Sequence, residues 1–163
     1  NKHTKNQKVI VYYSSERKKI VNSLGKYDVV LSTYGTISHE FAQGYHNKKM
    51  GIYKYKWHRI ILDEAHYIKG RVIQTSKAVY ELNGTYRWCL TGTPIQNTVT
   101  DIFSLIHFIK YTPWSEFACW NRFIEKPLEE EDESVYQVLR IILKQVFLRR
   151  TKSSHDANGK PII

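Results

Sequence analysis

Cysteine is nearly absent from this 163-residue chain: Cys89 and Cys119 are the only two, with no C-x-x-C pair. That excludes a disulfide framework and a cysteine-rich zinc site, and leaves both as reduced core residues. Methionine occurs once, at Met50, so there is no initiator and the chain reads as a piece cut from something larger. Long apolar runs are missing too. None approaches the ~18 residues of a membrane span, and the N-terminal NKHTKNQK is too polar for a secretory signal, so the chain reads as soluble and intracellular. None of the eight glycines stands in a G-x-x-x-x-G-K-[ST] arrangement: Gly25-Lys26 runs into Tyr27 and Gly159-Lys160 into Pro161. A phosphate-cradling loop of that type is therefore absent. Acid is scarce beside base, 15 Asp and Glu against 25 Lys and Arg, a formal charge of +10. Such a surplus attracts polyanions, nucleic acid first among them, although it also serves solubility alone.

What remains is enough for one compact domain with a real core, at 42% hydrophobic content. Four short runs, KVIVYY (8–13), YDVVLS (27–32), HRIIL (58–62) and YRWCL (86–90), are nearly continuous in Val, Ile, Leu and aromatics. A half-exposed strand would alternate, so these read as strands buried on both faces. Helical segments lie between them. Ser15 is placed to cap a helix carrying Ile20, Val21 and Leu24, and residues 71–82 suit a helix between the third and fourth strands. Alternation of this kind implies crossover connections and a largely parallel sheet. Beyond the fourth strand the pattern is helical. Thr98 and Asp101 have capping-box spacing ahead of the stripe Ile102, Leu105, Ile106 and Ile109. A second stripe, Val135, Val138, Leu139, Ile142 and Val146, follows the acidic run EEEDE at 129–133, read as a solvated loop or first-turn charge.

Each strand is followed at once by small polar or charged residues: Ser14 and Ser15, then Ser32, Thr33 and Tyr34, then Asp63 and Glu64, then Thr91, Gly92 and Thr93. In a parallel sheet those ends share one edge, where open α/β sheets bind ligands. Capping or turn formation explains any one of these groups alone. The pair Asp63 and Glu64 asks for more, because an acid at the end of a buried strand needs a cation, donors or water. In phosphoryl-transfer ATPases that position holds Mg2+ through an Asp, and a neighbouring carboxylate orients the attacking water.

Four segments in order carry a resemblance. ILDEAH (61–66) resembles motif II of the superfamily two helicases, and LTGTPIQN (90–97) resembles motif III of the Swi/Snf-type DNA translocases. VLSTYGTIS (30–38) is similar to that group's motif Ib region, and FLRRTK (147–152) to the segment that ends its first RecA-like lobe. YTPWSEFACWNRFIEKP and LRRTKSSHDANGKPII resemble the repair-associated branch that includes the helicase-like transcription factor and the yeast post-replication repair translocases.

The resemblance implies an α/β fold: a RecA-like lobe with a mostly parallel sheet flanked by helices and a helical C-terminal portion. Residues 1–152 would be the later part of the first lobe, and 153–163 a linker toward a second. It implies ATP and Mg2+ as cofactors, double-stranded DNA and the remaining helicase lobes as partners, and a nuclear protein of DNA repair or chromatin remodelling. Asp63 would hold Mg2+ through water, Glu64 would act on the hydrolytic water, and His66 would relay the nucleotide state. Gln96 would join Asp63 and Glu64 at the nucleotide, Thr91, Gly92 and Thr93 would couple hydrolysis to lobe movement, and Ser32, Thr33 and Tyr34 would lie near one strand's phosphates. Many members of the branch reach ubiquitin-pathway proteins through a RING domain, whose ligands two cysteines cannot supply. The family places its phosphate loop upstream of everything quoted, so the fragment alone is expected to be inactive. Two other readings stand beside this one: a degenerate lobe that binds DNA or a partner without hydrolysis, and a metal-dependent hydrolase using Asp63, Glu64 and His66 directly, although H-E-x-x-H is absent.

Overall fold

Runs rich in Val and Ile favour the pleated conformation, and four of them form strands: β1 Val9–Tyr12, β2 Val29–Ser32, β3 Trp57–Leu62 and β4 Gly84–Cys89. The computed structural model describes residues 6–92, 99–149, 154–155 and 159–160. Both strand pairings are parallel. β1 pairs with β2, Val11 opposite Leu31, and β3 pairs with β4, Ile61 opposite Trp88. Where a single sheet is expected from the alternation, the described strands form two parallel ladders of two strands each.

Helices supply the crossovers. After β1 come α1, Arg17–Ile20, and a 3-10 segment, Val21–Lys26, with Leu24 fully buried. The expected cap at Ser15 is not made by its side chain: the carbonyl of Ser15 accepts from the Lys18 amide instead. Between β2 and β3 lie α2, Tyr34–Ala42, the short α3, Tyr45–Lys48, and a 3-10 turn, Gly51–Lys54. Thr33 starts α2 with extended backbone and a hydroxyl that accepts from the Thr36 amide at 3.2 Å, a regular N-cap. α4 covers Gln74–Tyr80, shorter than the expected 71–82, with Arg71, Val72 and Ile73 exposed ahead of it. After β4, α5 spans Val99–Ile109 and buries Phe103 and Phe108 as well as Ile102, Leu105 and Ile106, so more of its circumference is covered than one stripe.

The chain divides into two compact units, Asn1–Cys119 and Trp120–Ile163. The second is helical. A π-helical turn, Asn121–Glu125, joins α6, Phe117–Trp120, to α7, Lys126–Glu129, an element with no counterpart in the sequence reading. α8, Ser134–Val146, buries Val135, Leu139 and Ile142 of the expected stripe and leaves Val138 and Val146 half-buried. In the acidic run before it, the Asp132 carboxylate accepts from the Ser134 amide at 2.8 Å, and bonds from Ser134 hold its carboxyl below the usual range. Among the described residues no helix is long and apolar enough to cross a membrane.

Burial on both strand faces does not hold. Tyr12, Ile60 and Leu62 are buried, while Val11 is 60% exposed and its partner Leu31 52%, and Ile61 and its partner Trp88 are both 55% exposed. Residues opposite one another in a parallel ladder point to the same side, so each ladder has one face in the core and one apolar face that nothing among the described residues covers.

Among the described residues one acid is buried, on α2. Glu40, 1% exposed, accepts from the Tyr12 hydroxyl at 2.6 Å, from Arg17 Nε at 3.2 Å and from the Ile52 amide at 3.0 Å. Arg17 also donates to the Ser14 carbonyl at 2.6 Å, so its charge is committed inward. Burial and the Glu40 bond push the Tyr12 hydroxyl's pKa up. Gly51 is required beside this cluster. A Cβ there would stand 2.2 Å from Glu40 Oε2, and its φ of 57° is left-handed.

Removing one partner from a buried ionic cluster strands the others, whereas an exposed pair contributes little. Glu40→Ala is expected to lower the unfolding free energy by about 3–5 kcal/mol. Glu16→Ala, which loses a 3.0 Å pair with Lys19 whose side chains are 66% and 74% exposed, is expected to change it by less than about 0.5 kcal/mol. Urea denaturation of the two variants checks the contrast.

Candidate active site

The acidic turn is built by the end of the β3–β4 ladder. The Leu90 amide donates to the Leu62 carbonyl at 2.8 Å, and the Ala65 amide donates to the Leu90 carbonyl at 2.8 Å. These bonds carry the pairing past both strands and set Asp63-Glu64-Ala65-His66 beside the start of the Leu90-Thr91-Gly92 turn. Ala65 and Ile68 anchor a 3-10 turn in the core, at 0% and 1% exposure. Glu64 enters that turn with φ 48° and ψ 49°, a left-handed conformation that residues with a side chain adopt rarely and that clusters at functional sites.

Asp63 and Glu64 are both exposed. The burial penalty expected for the pair therefore does not apply, since β3 ends at the surface and water reaches both carboxylates. Asp63 Oδ1 accepts from the Glu64 amide at 3.0 Å. His66 Nδ1 lies 3.1 Å from Glu64 Oε2, within ion-pair reach once the ring is protonated but without hydrogen-bond alignment. Its ring stacks on Tyr67 at 4.8 Å.

The end of β2 faces this turn. Ser32 donates its hydroxyl to the Tyr12 carbonyl at 2.9 Å, Thr33 caps α2, and Tyr34, the first residue of α2, donates to the Asp63 carbonyl at 2.8 Å. The Tyr34 and Tyr67 rings are 5.6 Å apart. Burial chiefly, then the neighbouring Cys89, Asp63, Glu64 and Tyr67, raise the Tyr34 hydroxyl's pKa. Between β2 and β3 runs a cavity of about 350 Å3 lined by Ser32, Thr33, Tyr34, Arg59 and Asp63 at its polar end.

The structure thus brings together Ser32, Thr33, Tyr34, Asp63, Glu64 and His66, with Thr91 half-buried and Gly92 exposed next to them. Thr93 and Gln96 lie outside the described residues. Three participants were not singled out from sequence: Tyr67, Arg59 and Cys89. The aromatic at position 67 directly after D-E-A-H is the one signal that pointed to the first. Among the described residues no three His, Cys, Asp or Glu side chains gather as a metal cluster. A site of one or two exposed carboxylates suits a cation that keeps most of its own water, as Mg2+ does.

The model of the SNF2-related domain matches residues 1–159. The chain belongs to the SNF2-related domain family. It is 46% identical over 155 residues to the DNA repair protein RAD5A of Arabidopsis thaliana, covering 95% of this chain and 15% of that protein. It is 42% identical over 143 residues to the DNA repair protein RAD5 of Candida albicans, covering 83% of this chain and 13% of that protein. The chain therefore spans a small part of the length of these relatives. The Sulfolobus solfataricus SWI2/SNF2 ATPase core in complex with double-stranded DNA superposes with a TM-score of 0.72 at 31% identity, over 91% of this chain and 29% of that one. The parallel strands and flanking helices of this SNF2-related chain are those of the RecA-like ATPase core.

Burial pushes the Cys89 thiol up to about 12. At pH 8 the thiolate is then far scarcer than for an ordinary thiol of pKa about 8.5. Because the shift disfavours the anion, reactivity should rise with pH toward 12 in the folded chain. Alkylation followed by peptide mass spectrometry should show Cys89 modified slowly at pH 8 in buffer and rapidly in denaturant.

Proposed function

We propose that these residues are the later part of the first RecA-like lobe of an ATP-driven double-stranded DNA translocase acting in DNA repair or chromatin remodelling, in the nucleus. One observation carries the reading. Two hydrogen bonds hold the DEAH turn and the start of the LTGT turn together at the carboxyl ends of parallel strands, where such sheets bind nucleotides. On this reading residues 1–152 are lobe and 153–163 lead toward a second lobe. The phosphate loop belongs to chain upstream of these motifs.

In that motor Asp63 would hold Mg2+, Glu64 would orient and polarise the attacking water, and Gln96 would join them at the nucleotide. Bound Mg2+ supplies neutralisation of phosphate charge as the terminal phosphoryl group leaves. His66, 3.1 Å from Glu64, relays the nucleotide state to the rest of the motor. Thr91, Gly92 and Thr93 couple hydrolysis to movement of the adjoining lobe; Thr91 and Gly92 follow directly on the strand end that borders the DEAH turn. Ser32 and Thr33 are exposed at the β2 end and face one DNA strand's phosphates, with backbone amides adding donors that position without reading sequence.

In the intact protein, Glu64→Gln should cut DNA-stimulated ATP hydrolysis by at least about a hundredfold, the scale of a lost general base, with ATP affinity retained. Turnover and nucleotide-binding titrations check both halves. Normal turnover would remove Glu64 from the mechanism, and absence of hydrolysis in the intact native protein would favour a lobe that only binds. The 163 residues alone are expected to show no turnover.

A further inference from the structure

We propose that Tyr34 is a positioning residue that transmits DNA occupancy at the end of β2 to the conformation of Glu64; this rests on the motor reading above. The peptide between Asp63 and Glu64 is held at both polar ends. Its carbonyl accepts from the Tyr34 hydroxyl at 2.8 Å, and its amide donates to Asp63 Oδ1 at 3.0 Å. That peptide leads into the left-handed Glu64, at φ 48° and ψ 49°. A residue with a side chain stays there only when its surroundings over-determine it, and these two bonds, with the Leu90 amide on the Leu62 carbonyl, restrain the N-terminal side of Glu64. The first belongs to Tyr34.

Tyr34 is also the first residue of α2, directly after Ser32 and Thr33. Thr33 caps that helix through the Thr36 amide at 3.2 Å and lies 3.0 Å from the Thr36 hydroxyl, so the first turn moves as one piece. A phosphate engaged by Ser32 and Thr33 loads this turn, and the turn carries the tyrosine that pins the DEAH peptide. The ring's contact with Tyr67 at 5.6 Å, on the far side of Glu64 in sequence, gives it a hold on both flanks of the acid. The Tyr34 hydroxyl is engaged by the Asp63 carbonyl, so the role proposed for that hydroxyl is distinct from phosphate contact. Tyr34 serves as the link behind the contacts.

Tyr34→Phe removes the hydroxyl and keeps the ring. In the intact protein, hydrogen exchange of peptides spanning 62–68 is measured with and without a mixed-sequence DNA duplex, beside steady-state ATPase assays. Native protein should show DNA-dependent slowing of exchange in that segment. Tyr34→Phe should lose the slowing, and its kcat at saturating DNA should fall about three- to tenfold, the factor of one ordinary hydrogen bond, with the KM for ATP and the DNA affinity within twofold of native. Equal slowing and stimulation in Tyr34→Phe would overturn the inference, as would native protein without DNA-dependent slowing. A loss of DNA affinity with kcat intact at saturating DNA would also overturn it, by making Tyr34 a DNA contact. If Glu64→Gln turns over ATP normally, the motor reading itself fails; if Glu64→Gln is inactive while Tyr34→Phe behaves as native, only the role of Tyr34 falls.

Discussion

The Ala65 amide and the Leu90 carbonyl meet at 2.8 Å just beyond the last paired residues of β3 and β4. Together with the Leu90 amide on the Leu62 carbonyl, that bond extends the ladder beyond its strands. With it, two polar segments far apart in the chain lie on one rim. Parallel strands need crossover connections, and α4 with its flanking turns provides the one that returns the chain in register, Leu62 opposite Cys89. The chemistry assigned to Asp63 and Glu64 depends on this register, because slipping it by one residue would exchange core and surface faces and turn Leu62 outward.

The β1–β2 ladder is tied in by a different device. Glu40 gathers Tyr12 from β1, Arg17 from α1 and the Ile52 amide from the 3-10 turn onto one carboxylate. An uncompensated charge at that depth would be costly, so the cluster forms with every partner present or is lost together. Its effect is to fix α2, and with α2 the starting position of Tyr34. A buried structural network and the exposed candidate site thus share one helix: Glu40 near its end and Tyr34 at its start.

Much of this was readable in the residues. Val9-Ile10-Val11 and Arg59-Ile60-Ile61-Leu62 announced strands, and the i, i+4, i+7 spacing of Val135, Leu139 and Ile142 announced α8, because both patterns are local. Covering of the second strand face was not readable. Continuous Val and Ile state that a strand is apolar, whereas covering its outer face depends on elements elsewhere. Glu40 escaped notice for the same reason, since an acid between His39 and Phe41 looks like surface until Tyr12 and Arg17 close over it. α2 was hidden by Thr, Gly and Ser, weak helix formers that the Thr33 cap and the burial of Thr36 and Ile37 override. The acids after β3 were located correctly on an argument from burial that the exposed turn does not support; the ladder end, rather than desolvation, is what places them.

The central claim is that the DEAH turn and the LTGT turn form one nucleotide-facing rim. A crystal structure of the intact protein with Mg2+ and a non-hydrolysable ATP analogue tests it most directly. The account predicts Asp63 against the metal's water shell, Glu64 facing the terminal phosphate and the Leu90–Gly92 turn alongside. Nucleotide and metal bound elsewhere, with Asp63 and Thr91 both facing bulk solvent, would contradict it.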